Sequence, residues 1–263
     1  MQGIRRPNAA CLSRASGTDR RLDEPSGLAL AASFSLPPNQ LGLCGPKKTA
    51  WGNPRKLAVA LKKFRAPYSY LSLIADANGL EPFDYDVVEA FWLGNKLLEG
   101  INGEDMAAVI RKRFVAPSFL SSGRAETLAS GLPPKVRPHH SFHVFYIGSI
   151  SGVLKRTRAE LDACRVAWGK VKKVKDKSVQ VSYSPLVLNA KNKGAGIENK
   201  NACLGSRKLA DWKFDSSRFS LSSGDLVASH WGVLAATISP RQANNLEKYT
   251  LLNMELFGKR PPE

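Results

Sequence analysis

No apolar run in the 263 residues approaches the ~18–20 that a membrane-spanning helix requires. The longest candidate, Leu28–Leu36, is too short, and it follows Asp23 and Glu24 rather than a basic region, which argues against a secretory signal. Cysteine and histidine are scarce, four of each. Cys11, Cys44, Cys164 and Cys203 lie far apart with no C-x-x-C pair, so zinc-ribbon and thioredoxin-like motifs are excluded. There is no G-x-x-x-x-G-K-S/T loop for a nucleotide phosphate and no H-E-x-x-H zinc motif. The stretch Gly148–Gly152 has no serine at its centre, so a nucleophile elbow is absent. The acids show no pairing suited to glycoside chemistry, and no internal repeat is present. Acids are also outnumbered. Lys and Arg total 39 against 22 Asp and Glu, a formal charge of +17.

What remains is ordinary globular material, 43% hydrophobic and 23% charged, enough for one large or two small domains. With no signal sequence in view, a reducing cytoplasm is the expected home and free thiols the expected state. Residues 1–25 are rich in Arg and Ser, and Leu36–Pro46 clusters turn residues, so residues 1–50 read as a poorly ordered basic extension and loop. Residues 51–132 read as a helical domain. Asn53-Pro54 is an N-cap followed by an N1 proline, Asn78-Gly79 suits a left-handed C-cap, and a third helix opens near Asp84. Acids at Glu104 and Asp105 favour the start of a fourth.

The period then changes. Residues 133–160 form a junction in which Ser141–Ile147, β-branched and aromatic, reads as a strand. Residues 161–263 read as a small OB-like β-barrel. A hairpin is expected across Lys175–Lys177, a long insertion over 189–218, and strands around Trp212–Leu221 and Leu226–Ile238. A terminal helix opens on the capping box Ser239–Gln242, with Pro240 at N1. The fold class expected is therefore α+β: a helical N-terminal domain, then a barrel with a C-terminal helix.

Two features could carry chemistry. His139, His140 and His143 cluster, with His230 distant. On a strand His139 and His143 stand ~13 Å apart, too far for one ion, so histidines hydrogen-bonded at a domain junction are the favoured reading over a self-contained metal site. The Lys170–Lys177 stretch, with Lys172 and Lys173, could contact phosphates or an acidic partner, as could Arg165. It equally suits a solvated strand face.

Two ordered blocks of the second half resemble the HypC/HupF small chaperones of [NiFe]-hydrogenase maturation. Cys164–Val174 is similar to their opening, a cysteine followed by an apolar pair and Gly-Lys-Val. Gly224–Ile238 is similar to their second block, Gly-Asp-x-Val, then His-x-Gly, then an apolar strand. The resemblance implies a non-enzymatic accessory protein in which a thiolate, Cys164, holds iron carrying cyanide and carbon monoxide, with His230 beside it. Arg165 or Lys170 would lower the thiol pKa, and His139, His140 or His143 would approach from the junction. It also implies a hydrogenase large subunit or an iron–sulfur maturation protein as partner. Here the cysteine is internal rather than next to the initiator methionine. Leu41–Pro46, Tyr70–Gly79, Val88–Asn95 and Pro138–Phe145 resemble a prokaryotic family of unknown function, which implies no activity. The alternatives are a nucleic-acid-binding barrel using the Lys-rich hairpin and a histidine-dependent metalloenzyme.

Overall fold

The computed structural model describes residues 26–46, 53–117, 119–133, 135–148, 157–190, 200–259 and 261. The expected basic tail, residues 1–25, lies outside them. Six helices come first: α1 (Gly27–Gln40), α2 (Pro54–Lys62), α3 (Arg65–Asn78), α4 (Tyr85–Trp92), α5 (Gly103–Arg113) and α6 (Ser122–Ser130). Their ends follow local chemistry. Asn53 caps α2 ahead of Pro54, Asn102 and Asp105 form a capping box on α5, and α3 stops at Gly79 with φ 65°.

Helix α1 corrects the expectation of an extended loop within 1–50. It runs through Pro37 and Pro38 to Gln40, and Leu30, Ala31, Ala32, Phe34 and Leu36 are all buried. A helix apolar on every side shows no amphipathic stripe, and burial here outweighs the loss of two backbone donors to proline. Phe34 stacks on Trp92 of α4, ring centroids 4.9 Å apart.

The expected strand at Ser141–Ile147 is also corrected. His140–Phe142 form a short helical turn, α7, that continues as a π-helical turn over His143–Ile147. The aromatic and β-branched side chains there reflect burial between helices rather than strand pairing, an ambiguity that short apolar runs carry. Ser141 Oγ donates to the Tyr249 carbonyl at 3.2 Å and accepts from Asn253 Nδ2 at 2.9 Å, which ties this turn to the terminal helix.

A capping box of Thr157 and Glu160 then opens α8 (Arg158–Cys164). Seven strands follow: β1 (Ala167–Val174), β2 (Ser178–Tyr183), β3 (Leu186–Ala190), β4 (Lys200–Leu204), β5 (Lys208–Lys213), β6 (Leu226–His230) and β7 (Val233–Thr237). Five of them close a barrel in the order β1-β2-β5-β7-β6, with β5 and β7 parallel and the other pairs antiparallel. The expected insertion over 189–218 is thus too long. The inserted piece is the β3–β4 hairpin, and β5 belongs to the barrel wall. Helix α9 (Pro240–Met254) starts as expected, with the Ser239–Gln242 capping box and Pro240 at its first position. Among the described residues no helix is long and apolar enough to cross a membrane.

The main core runs from Leu30 and Phe34 through α3, α4 and α5 and on to Ala228, Ala235, Ala236 and Ile238 of the barrel segment and Leu246 of α9. The barrel keeps a smaller interior of its own, with Val171, Val179, Val181, Trp212, Val227 and Leu234. Helices and barrel therefore share apolar packing. Gly94 lies where α4 turns toward α9, at φ 86°, and a Cβ there would come within 2.3 Å of the Tyr249 ring.

If α1 is core rather than tail, Phe34→Ala should cost about 3–5 kcal/mol in chemical denaturation, the usual loss for a fully buried aromatic. A cost below about 1 kcal/mol would show that α1 is dispensable.

Candidate metal centre

Three elements end at one buried point. His140 is the first residue of α7, Cys164 the last of α8 and His230 the last of β6. One nitrogen from each imidazole and the Cys164 sulfur all lie within 4.8 Å of one another, and all three residues are buried. The imidazole centroids are 4.9 Å apart, and Trp92 packs against both, 4.5 Å from His140 and 5.3 Å from His230.

Hydrogen bonding defines the tautomers. His140 Nε2 lies 2.9 Å from the Cys164 carbonyl oxygen, and His230 Nδ1 lies 2.7 Å from the Phe34 carbonyl oxygen. A carbonyl only accepts, so those nitrogens carry the protons. The other nitrogens, His140 Nδ1 and His230 Nε2, are buried with no hydrogen-bond partner. Both acceptors are helix carbonyls without a helical donor. The amide that would serve Phe34 belongs to position 38, which is proline and has no N–H. Cys164 ends α8, where the last carbonyls are free.

This arrangement fits a transition-metal ion. Metal-ligating imidazoles commonly donate their second N–H to a carbonyl or carboxylate, which fixes the ring and leaves a lone pair for the metal. Two imidazoles and a soft sulfur within 4.8 Å of one another offer a nitrogen–sulfur donor set. Tetrahedral ligands at ordinary bond lengths stand ~3.5 Å apart, so closure on an ion needs shifts of about 1 Å.

Charge is disfavoured in the metal-free site. Burial lowers the His230 pKa to about 4, and burial with the neighbouring His230 takes His140 well below its usual value. Burial raises the Cys164 thiol, and the electrostatic influence of Cys44 raises it further, while the Trp231 indole pulls it down. Cys44 itself is raised to about 11 by burial. The Cys164 thiol is therefore protonated until a cation displaces the proton.

The remaining expected residues go elsewhere. His139 Nδ1 accepts from the Ser141 backbone N–H at 3.3 Å and so caps its own turn, with Ser141 Oγ 2.7 Å away, and burial lowers its pKa to about 3. His143 Nδ1 faces the Tyr70 hydroxyl at 3.3 Å and packs on Phe114. The expectation that Arg165 would bind a partner or activate the thiol is corrected. It is buried, paired with Asp162 at 2.8 Å, and donates to the Ser184 carbonyl at 2.6 Å. Lys170, Lys172 and Lys173 are exposed on β1. Lys170 borders a groove of about 220 Å³ with Trp168, Tyr183, Arg207 and Glu247.

Sequence reasoning missed Phe34, Trp92 and Trp231. The signal for Phe34 is the proline four residues on, which leaves its carbonyl without a helical donor. Trp231 has φ 57°, the one positive φ outside glycine among the described residues, in the hairpin turn it shares with Gly232. It packs against the cluster that contains Cys164. Of the four cysteines, Cys44, Cys164 and Cys203 are free thiols, and Cys11 lies outside the described residues.

A family model, described as a family of unknown function (DUF6390), matches residues 23–262. No curated protein and no solved structure matches the chain.

The depressed histidines set a pH dependence. His139 and His230 stay neutral in the fold well below 6.5, whereas in the unfolded chain they take up protons near 6.5. The unfolded state then binds more protons, so stability is full above about 6.5 and falls as pH drops toward about 4, by about 1.4 kcal/mol per pH unit for each histidine. Denaturant titrations of the metal-free protein should show this slope, and His139→Asn, which preserves the cap, should remove one histidine's share. Stability that is flat across that range would overturn the assignment.

Proposed function

We propose that this chain, which belongs to the DUF6390 family of unknown function, is a metal-handling accessory protein that serves the assembly or maturation of a metalloenzyme. The ion is held by the Cys164 thiolate and the imidazoles of His140 and His230. The observation that carries this reading is that one nitrogen from each of two buried imidazoles and a buried thiol sulfur lie within 4.8 Å of one another, while each ring is held through one nitrogen by a backbone carbonyl and keeps another with no hydrogen-bond partner among the described residues.

The resemblance to the small hydrogenase-maturation chaperones supports a narrower version. It singles out Cys164 and His230 from two separate blocks, and these are two of the three residues that meet here. The barrel order, with its third and fifth strands parallel, is that of an OB-type barrel, in keeping with the same reading. In this version the cargo is iron bearing cyanide and carbon monoxide, which a soft thiolate suits. The client is a [NiFe]-hydrogenase large subunit, supplied through an iron–sulfur partner. His140 is contributed by the helical half.

Nucleic-acid binding by the Lys-rich hairpin is supported less well. Lys175 is paired with Asp211 at 2.7 Å, and the groove beside Lys170 contains Glu247.

Protein purified under reducing conditions should carry about one transition-metal equivalent, lost in Cys164→Ala and weakened about 10–100-fold in His140→Ala or His230→Ala. Co-purification with maturation partners should add infrared bands of iron-bound cyanide and carbon monoxide that Cys164→Ala abolishes. Metal-free wild type that takes up no ion on titration would overturn the metal reading. Metal binding without those bands would overturn only the iron–cyanide version.

A further inference from the structure

The excess of positive charge has a concave focus that lies outside the barrel and was not evident in the sequence. The end of α2, the first turns of α3, the end of α5 and the following loop enclose a pocket of about 440 Å³. Among the described residues its lining is Lys62, Lys63, Arg65, Tyr68, Ser69, Arg113 and Phe119, four cations and no carboxylate. None of these cations has an ion-pair partner among the described residues.

The bland explanation is that basic residues neutralise helix carboxyl ends. Its arithmetic falls short. The carboxyl ends of α2 and α5 contribute about −0.5 each and the amino end of α3 about +0.5, leaving about −0.5 against four full positive charges. The acids of α5 are of no help, since Glu104 and Asp105 occupy its first turn, at the far end of the helix. Like charges gathered in a concavity with low-dielectric walls focus potential on an anionic ligand.

The cations are also positioned. Arg65 donates to the Arg113 carbonyl and, at 3.1 Å, to the Val115 carbonyl, while its guanidinium lies 5.0 Å from the Phe119 ring centroid. Lys62 Nζ sits 5.8 Å from the Tyr68 ring centroid. Lys63 and Arg113 are exposed and carry no side-chain hydrogen bond among the described residues. Fixed and free cations lining one pocket suit a group with several phosphate oxygens, which Arg grips in pairs and Lys as a point charge.

We propose that this pocket binds a ligand bearing two or more clustered phosphates, held by Lys63 and Arg113 against the preset charge of Arg65 and Lys62. The proposal is independent of the metal reading, because neither site shares a residue with the other.

The test is calorimetric titration of the full chain with inorganic tripolyphosphate in phosphate-free buffer. Wild type should bind at low ionic strength and weaken steeply as salt rises from about 20 to about 200 mM. The double substitution Lys63→Ala, Arg113→Ala, on exposed side chains, should weaken binding at least about tenfold, since each lost charged contact is worth about one decade or more. The triple substitution Lys170→Ala, Lys172→Ala, Lys173→Ala on the barrel should leave it unchanged. Wild type that binds no tripolyphosphate at low salt, or a triple variant weakened as much as the double one, overturns the proposal. A competing arm with a single-stranded oligonucleotide separates the sources. Displacement that Lys63→Ala, Arg113→Ala abolishes assigns the phosphates to a nucleic-acid backbone, and no displacement assigns them to a free phosphate compound. Either result supports the pocket.

Discussion

Two hydrogen bonds from imidazole to backbone organise this molecule: His230 to the Phe34 carbonyl and His140 to the Cys164 carbonyl. Each meets a carbonyl that helix geometry has left without a donor, in one case because a proline follows and in the other because the helix ends. A buried carbonyl without a partner is costly, and so is a buried imidazole N–H. Each bond removes both costs and orients a ring. The remaining nitrogen of each ring is buried with no hydrogen-bond partner among the described residues.

That constraint explains why helices and barrel are inseparable. Helix α1 presents Phe34, α7 presents His140, α8 presents Cys164 and β6 presents His230, so the site draws on both halves and needs their common core. Trp92 is the packing centre, touching Phe34 on one side and both imidazoles on the other. The Trp231 turn covers the sulfur side, and its left-handed backbone, disfavoured for a bulky residue, is held by the bond from its amide to the Ala163 carbonyl at 2.7 Å.

What could be read from the sequence were features with a local cause. Asn53-Pro54, Asn78-Gly79 and Ser239–Gln242 each specify a helix end through side chains within three residues, and all three mark helix ends in the structure. Elements that owe their form to distant packing were not legible. Helix α1 contains two prolines and no amphipathic stripe, and His140–Ile147 has the composition of a strand but the setting of a helix. Strand β5 hides in a polar stretch because most of its residues are solvent-facing. The same division holds for the site. Cys164 and His230 were visible through the family resemblance. The selection of His140 over His139 and His143 was not, because one-residue differences in position along the turn decide which ring meets Cys164 and His230.

The sequence separations of these contacts bear on how the protein is made. The bond from His230 to Phe34 spans 196 residues, and that from His140 to Cys164 spans 24. Such pairings close late, after the chain entropy of long loops has been overcome. On the proposed metal reading the imidazoles that join Cys164 come from distant positions in the chain, so the ligand set is assembled only by the fold. An ion that binds only the finished structure stabilises it by its full binding free energy, because the unfolded chain competes poorly for it. On the proposed metal reading, loading of the site waits until synthesis has passed the last barrel hairpin.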